Sequence, residues 1–310
     1  MVTLNDIKLK NYTLENLPRL KELRRAYFSR RPEICIERAR YVTEYLRDMD
    51  DLADAPEVRQ AKKIRHFLRN REPVFHDRNL LAGSTTSKPM GAPLFPEFFA
   101  LTLWPELDTV STRPKNPQIL LPEDSRELNF EIFPFWMERN VLEVTRKKFG
   151  YTKGLQLFED LVFFIASKAG TVSHCVPTYA PVLEKGLLGI VEQAAERKEA
   201  LKGAGDQESC RKADFYQAVC IALEGIMEYA VHLAEKAELL ARVASDPELK
   251  KELEEIAAVS RRVPAHPATT FREAINAIWI CQVGIHAENI NMAMSPGRLD
   301  QILYPFIAAT

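Results

Sequence analysis

Apolar residues recur at helical spacing over most of the chain. Leu20, Leu23 and Tyr27 share one face of a helix expected over 17–30. A second helix is expected to restart at Arg31-Pro32-Glu33, where an early proline loses no needed N–H. Ile34, Ala39, Val42, Tyr45 and Leu46 form its buried stripe, and Val58, Ala61, Ile64 and Phe67 do the same for a third helix over 54–67. Further helices are expected over 135–148, 154–169 and 214–244, the last with Leu223, Ile226, Ala230 and Leu233 on one face. Asp246-Pro247 ends that helix and caps the next, over 248–260. Thr270-Phe-Arg-Glu273 is a capping box opening a helix over 271–285. Strand signals are few, at 119–121 and 171–176.

The pattern changes at Asn70. From there to Pro134 come nine prolines, at 73, 89, 93, 96, 105, 114, 117, 122 and 134, with few helical patterns between them. Phe95, Phe98, Phe99, Trp104 and Phe133 supply too much apolar surface for a linker. An irregular but packed segment is expected, of the kind that lines or covers sites.

Composition narrows the function class. The 310 residues are 46% apolar and 27% charged, as in a soluble globular chain. Lys plus Arg is 42 and Asp plus Glu 43, a balance without the basic footprint of a nucleic-acid binder. Glycine, at 12, is scarcer than proline, at 19, and no glycine-rich nucleotide fingerprint occurs. The five cysteines contain no C-x-x-C pair for zinc or redox chemistry, and their odd number suits a reducing compartment. The longest uncharged runs, 169–183 and 274–287, are too short for a membrane helix. A cytoplasmic protein without membrane or nucleic-acid partners is the expectation, with no metal site.

Four segments carry more. The first is Arg31-Pro-Glu-Ile-Cys-Ile-Glu-Arg-Ala-Arg-Tyr-Val-Thr-Glu-Tyr45. The second is Leu80-Leu-Ala-Gly-Ser-Thr-Thr-Ser-Lys-Pro-Met-Gly-Ala-Pro-Leu-Phe-Pro-Glu97, continued by Leu103-Trp-Pro-Glu-Leu-Asp108 and Thr112-Arg-Pro-Lys-Asn-Pro117. The third is Gly170-Thr-Val-Ser-His-Cys-Val-Pro-Thr-Tyr-Ala-Pro-Val-Leu183. The fourth, His286 to Pro305, holds Ser295-Pro-Gly-Arg-Leu-Asp-Gln-Ile-Leu-Tyr-Pro305, the most specific of them. Together they resemble the glycyl radical enzymes of the pyruvate formate-lyase type, over about residues 15–306. The wording of the second segment is nearest the arylacetate decarboxylase branch.

The resemblance implies an α/β fold: the helix-rich N-terminal part of a ten-stranded β/α barrel, incomplete in this chain. Its single domain over 1–310 would comprise a helical part (1–70), the proline-rich packed segment (71–134), and helices with the first barrel strands (135–310). His174 stands where diol dehydratase relatives turn a histidine toward the substrate. It lies in an uncharged stretch that makes its protonation sensitive to its neighbours. Around it Ser173 replaces a glycine and Thr178 an aspartate of the pattern. Glycerol dehydratase relatives place a His-Ser pair, which binds substrate hydroxyls, where this chain has Met292 and Ala293. An apolar pair there points to a substrate with an apolar or aromatic portion. His174, Met292 and Ala293 are therefore the substrate-binding candidates. Arg298 and Asp300 are expected to pair within a tight turn, and Cys281 to be a buried apolar residue.

The family's chemistry needs a radical-storing glycine, installed by a radical SAM activating enzyme, and a cysteine that relays the radical to the substrate. Neither motif is found here, so no catalytic residue is identified. Part of the barrel is expected from the same or a second polypeptide, the chain being read as a truncation, a frameshift product or one piece of a split enzyme. The expected function is radical C–C or C–X cleavage of a small organic acid, with arylacetate decarboxylation preferred. Diol dehydration, formate C-acetyl transfer and a non-catalytic scaffold are the alternatives. No resident cofactor is expected, and a homo-oligomer is.

Overall fold

The computed structural model describes residues 17–48, 53–76, 79–98, 100–150, 152–153, 156, 175–288 and 294–308. Helix α1 (Pro18–Ser29) carries proline in its first turn and buries none of its side chains. The helix expected to restart at 31–33 does not. Glu33–Cys35 is instead a strand, β1, paired in parallel with β2 (Gly91–Pro93), with Ile34 opposite Ala92. Pro32 biases Arg31 toward extended backbone. The Ile34 amide then donates to the Ile119 carbonyl, and the Ile119 amide to that of Pro32, each at 2.8 Å. Long-range pairing here overrides local propensity. The strand expected over 119–121 is reduced to one bridge, Ile119 to Glu33.

The next helices follow their patterns. In α2 (Glu37–Asp48) Ala39 and Val42 are fully buried. In α3 (Pro56–Asn70) Val58, Ala61, Ile64 and Phe67 face inward as spaced. The proline-rich stretch packs through Ala82, Phe95, Leu107 and Val110 and includes a 3-10 turn, Ala100–Glu106. The helix expected over 135–148 starts earlier and breaks. It runs as α4 (Pro122–Glu127), a π turn (Leu128–Ile132) and α5 (Phe133–Trp136). Asn140 then accepts from the Leu142 and Glu143 amides and caps a new helix, α6 (Val141–Phe149). The helix expected over 154–169 falls almost wholly outside the described residues.

The remaining described chain is mostly helical. Its helices are α7 (Ala180–Glu199), α8 (Gln207–Val243), α9 (Pro247–Arg262) and α10 (Phe271–Glu288), followed by the short α11 (Leu299–Ile302) and α12 (Tyr304–Ala308). Asp206 caps α8 through the Ser209 amide, so that helix begins seven residues before its apolar stripe suggested. Asp246 caps α9, and Thr270 and Glu273 exchange the expected capping-box bonds. Gly225 lets α8 approach α3 closely, since a Cβ there would sit 2.9 Å from the Arg65 Cα. Phe67, Leu68, Tyr229, Leu233, Ile256 and Ile280 join α3, α8, α9 and α10 in one core. Each such fully buried side chain contributes about 1.5–3 kcal/mol of apolar transfer. No described helix is long and apolar enough to cross a membrane.

Candidate functional site

The third and fourth sequence segments converge. Cys175 and Met294 form a parallel β-bridge, and the Ser295 amide donates to the Cys175 carbonyl at 3.0 Å. His174, Met292 and Ala293 lie outside the described residues. Their immediate successors, Cys175 and Met294, are nonetheless side by side in this parallel bridge. The Ser-Pro-Gly-Arg turn comes next. There Arg298 donates to Asp300 through Nε and Nη2, at 2.8 and 2.6 Å, as expected. Thr178, the position of the pattern's aspartate, is exposed.

Helix α10 underlies this pairing. Its run 274–287 is uncharged and apolar on every side, which buries it. The polar residues within such a helix must find partners. Gln282 accepts from the Tyr179 hydroxyl, and its Nε2 donates to the Met294 carbonyl at 3.1 Å and lies 3.2 Å from His286 Nε2. Burial pushes the Tyr179 hydroxyl up and holds the His286 imidazole below its ordinary value. Gln282 and Tyr179 were not singled out from the sequence, although an amide inside an otherwise apolar run was the available signal. The described side of the site is thus neutral.

The first and second segments also meet, against α10. Asn276 accepts from the Ala82 amide at 2.9 Å, and Trp279 Nε1 donates to the Gly83 carbonyl at 3.2 Å. Buried Arg38 donates from Nε to the Ala287 carbonyl at 2.7 Å, from Nη1 and Nη2 to Glu97 at 3.1 and 2.5 Å, and to the Leu94 and Glu288 carbonyls. Its guanidinium lies 3.8 Å from the centre of the Phe95 ring. Burial pushes the Glu97 carboxyl up, but Arg38 and Lys63 more than reverse this and hold it below the usual carboxylate range. Burial lowers Lys63 in spite of Glu97, 3.7 Å away. One residue earlier, Glu37 accepts from the Glu72 amide at 2.7 Å. Its neighbour Arg71 is sandwiched between the Phe67 and Tyr229 rings and donates to the Ser84 carbonyl at 2.8 Å. Glu37-Arg38 and the Gly83-to-Glu97 stretch are therefore joined to each other and to the C-terminal end of α10, the end that leads into the site.

Among the described residues no group of three or more His, Cys, Asp and Glu side chains could hold a metal. Cys281 is packed in the core with Leu183 and Ile278, and burial pushes its thiol up to about 12. It is the apolar core residue its pattern suggested.

Residues 11–310 match the family model described as pyruvate formate lyase-like. The chain is 30% identical over 284 residues to an isethionate sulfite-lyase of Nitratidesulfovibrio vulgaris, covering 89% of this chain and 34% of the relative. It is 31% identical to the trans-4-hydroxy-L-proline dehydratase of Clostridioides difficile, covering 93% and 36%. An indoleacetate decarboxylase of Tractidigestivibacter scatoligenes matches at 25% over 80% of the chain. The crystal structure of a glycyl radical enzyme from Archaeoglobus fulgidus superposes with a TM-score of 0.80 at 31% identity, covering 91% and 36%. The chain spans about a third of the length of the curated relatives it matches.

Proposed function

Because the chain belongs to the pyruvate formate lyase-like family and carries the helix-rich N-terminal part of its barrel fold, we propose that it supplies one wall of the substrate pocket of a glycyl radical lyase. That enzyme would cleave a C–C or C–X bond in a small organic acid. The Cys175–Met294 bridge supports this best, because it follows the two segments that hold His174 and Met292-Ala293. His174 would bind a polar group of the substrate. Met292 and Ala293 would face its apolar portion, leaving no hydroxyl-binding pair in their place. The neutral set of Tyr179, Gln282 and His286 would fix the strand ends without attracting a carboxylate, whose counter-charge would come from the remainder of the barrel. That remainder, in the same or a second polypeptide, would also carry the radical-storing glycine and the relaying cysteine, activated by a radical SAM enzyme. Excluding water from such a site protects the radical intermediate.

Arylacetate decarboxylation is the finer reading, and Met292-Ala293 favours it. The sulfite-lyase and dehydratase relatives favour elimination instead. The assembled, anaerobically activated enzyme should be given indoleacetate, isethionate and trans-4-hydroxy-L-proline in parallel. Release of carbon dioxide from indoleacetate alone would support decarboxylation. Sulfite release or dehydration would move the chain to the elimination branches. A radical-bearing enzyme that turns over no organic acid would overturn the lyase reading and favour a scaffold.

A further inference from the structure

We propose that Gln282 is a positioning residue that sets the spacing between the Cys175–Tyr179 and Met294–Ser295 segments, which follow His174 and Met292-Ala293 in the chain. The inference rests on the reading of this region as the substrate pocket. Gln282 uses each part of its amide. Oε1 accepts the Tyr179 hydroxyl, one Nε2 proton goes to the Met294 carbonyl and the other to His286 Nε2. Tyr179 follows Cys175 by four residues and leads into α7, and Met294 directly follows Ala293. A single planar group on the buried helix α10 is therefore bonded to both segments just beyond the candidate residues.

The orientation of that amide is dictated by its partners. Met294 offers a carbonyl, which needs a donor, so Nε2 must face it and Oε1 must face Tyr179. His286 can then accept only through an unprotonated Nε2, with its proton on Nδ1. The low imidazole pKa that burial gives His286 agrees with a neutral ring. The parallel bridge between Cys175 and Met294 places the two segments in one register, which the surrounding contacts must hold. Gln282 supplies one such contact by pinning the Met294 carbonyl.

The test uses the full 310-residue chain and needs no substrate, so its failure is separate from failure of the substrate reading. Gln282→Glu keeps the acceptor for Tyr179 and removes both donors. Gln282→Met keeps the length and removes every polar contact. Hydrogen exchange is followed at the Ser295 amide, bonded to the Cys175 carbonyl, and at the Leu187 amide, bonded to the Pro264 carbonyl. We expect Ser295 protection to fall at least tenfold in both variants while Leu187 protection is retained. Nitrogen-15 shifts of the His286 ring should report an Nδ1–H tautomer in the wild type and a protonated Nε2 in Gln282→Glu. Unchanged Ser295 protection, or loss in step with Leu187, would reduce Gln282 to core filling and overturn the proposal. An unchanged His286 tautomer in Gln282→Glu would do the same. If the clamp holds but His174→Ala leaves turnover intact, Gln282 keeps its geometry and loses its role at the substrate.

Discussion

Replacing Arg38 by methionine should expose how strongly the first two segments hold the end of α10. Its guanidinium makes a two-pronged pair with Glu97, donates to the Ala287, Leu94 and Glu288 carbonyls, and stacks on Phe95. The substitution leaves Glu97 buried, with Lys63 at 3.7 Å as its remaining cation. Stranding one member of a buried pair costs about 3–5 kcal/mol. With an unfolding entropy of roughly 2.1 cal/mol/K per residue, that loss lowers the melting temperature of a chain this long by about 5–8 °C. Thermal unfolding followed by circular dichroism reads it, and a cycle with Glu97→Met isolates the pair. Acidity supplies a signed check. The folded pKa of Glu97 is depressed below 4.5, so its contribution is present above that value and is lost as pH falls through the lower folded value. Without Arg38 the buried carboxyl should be raised instead, and the native variant then gains stability on acidification. The gap between wild type and variant should narrow as pH falls from neutrality toward 4.5. A loss under about 1 kcal/mol, the size of an exposed pair, with no coupling in the cycle, would refute the reasoning.

Two further outcomes follow from local geometry. Gly186 kinks α7 at φ 70° and ψ 168°, and a Cβ there would sit 2.3 Å from the Ala265 carbonyl oxygen. Gly186→Ala should cost about 3 kcal/mol, the upper range for a backbone conformation reserved to glycine. Gly189→Ala in the same helix should shift stability by no more than about 1 kcal/mol in denaturant titrations. A mild Gly186→Ala would show that the contact between α7 and the loop at Ala265 and His266 can yield. Under mildly alkaline alkylation exposed Cys210 should be labelled while Cys35 and Cys281 stay protected until denaturant is added. Early labelling of Cys281 by mass spectrometry would contradict its place in the core.

What the sequence revealed was local. The Thr270–Glu273 box, the Asp246 cap and the Arg298–Asp300 pair depend on neighbours within a few residues, and all three form as read. The helix expected at 31–33 failed because its competitor, pairing with β2, lies nearly sixty residues away. Glu37-Arg38 reads as a charged helix face, and nothing in its own spacing reveals that Arg38 is buried against Glu97. Resemblance reached further than spacing, since it alone named His174 and Met292-Ala293, which lie outside the described residues. Gln282 escaped because one amide in an apolar run has no motif, only an unmet need for partners.

The measurement that bears most directly on the pocket is turnover by the assembled, activated enzyme carrying His174→Ala, taken beside its unfolding temperature. We expect turnover to fall at least tenfold with the melting transition unmoved. Undiminished turnover, or a loss that comes with unfolding, would take His174 out of the substrate site.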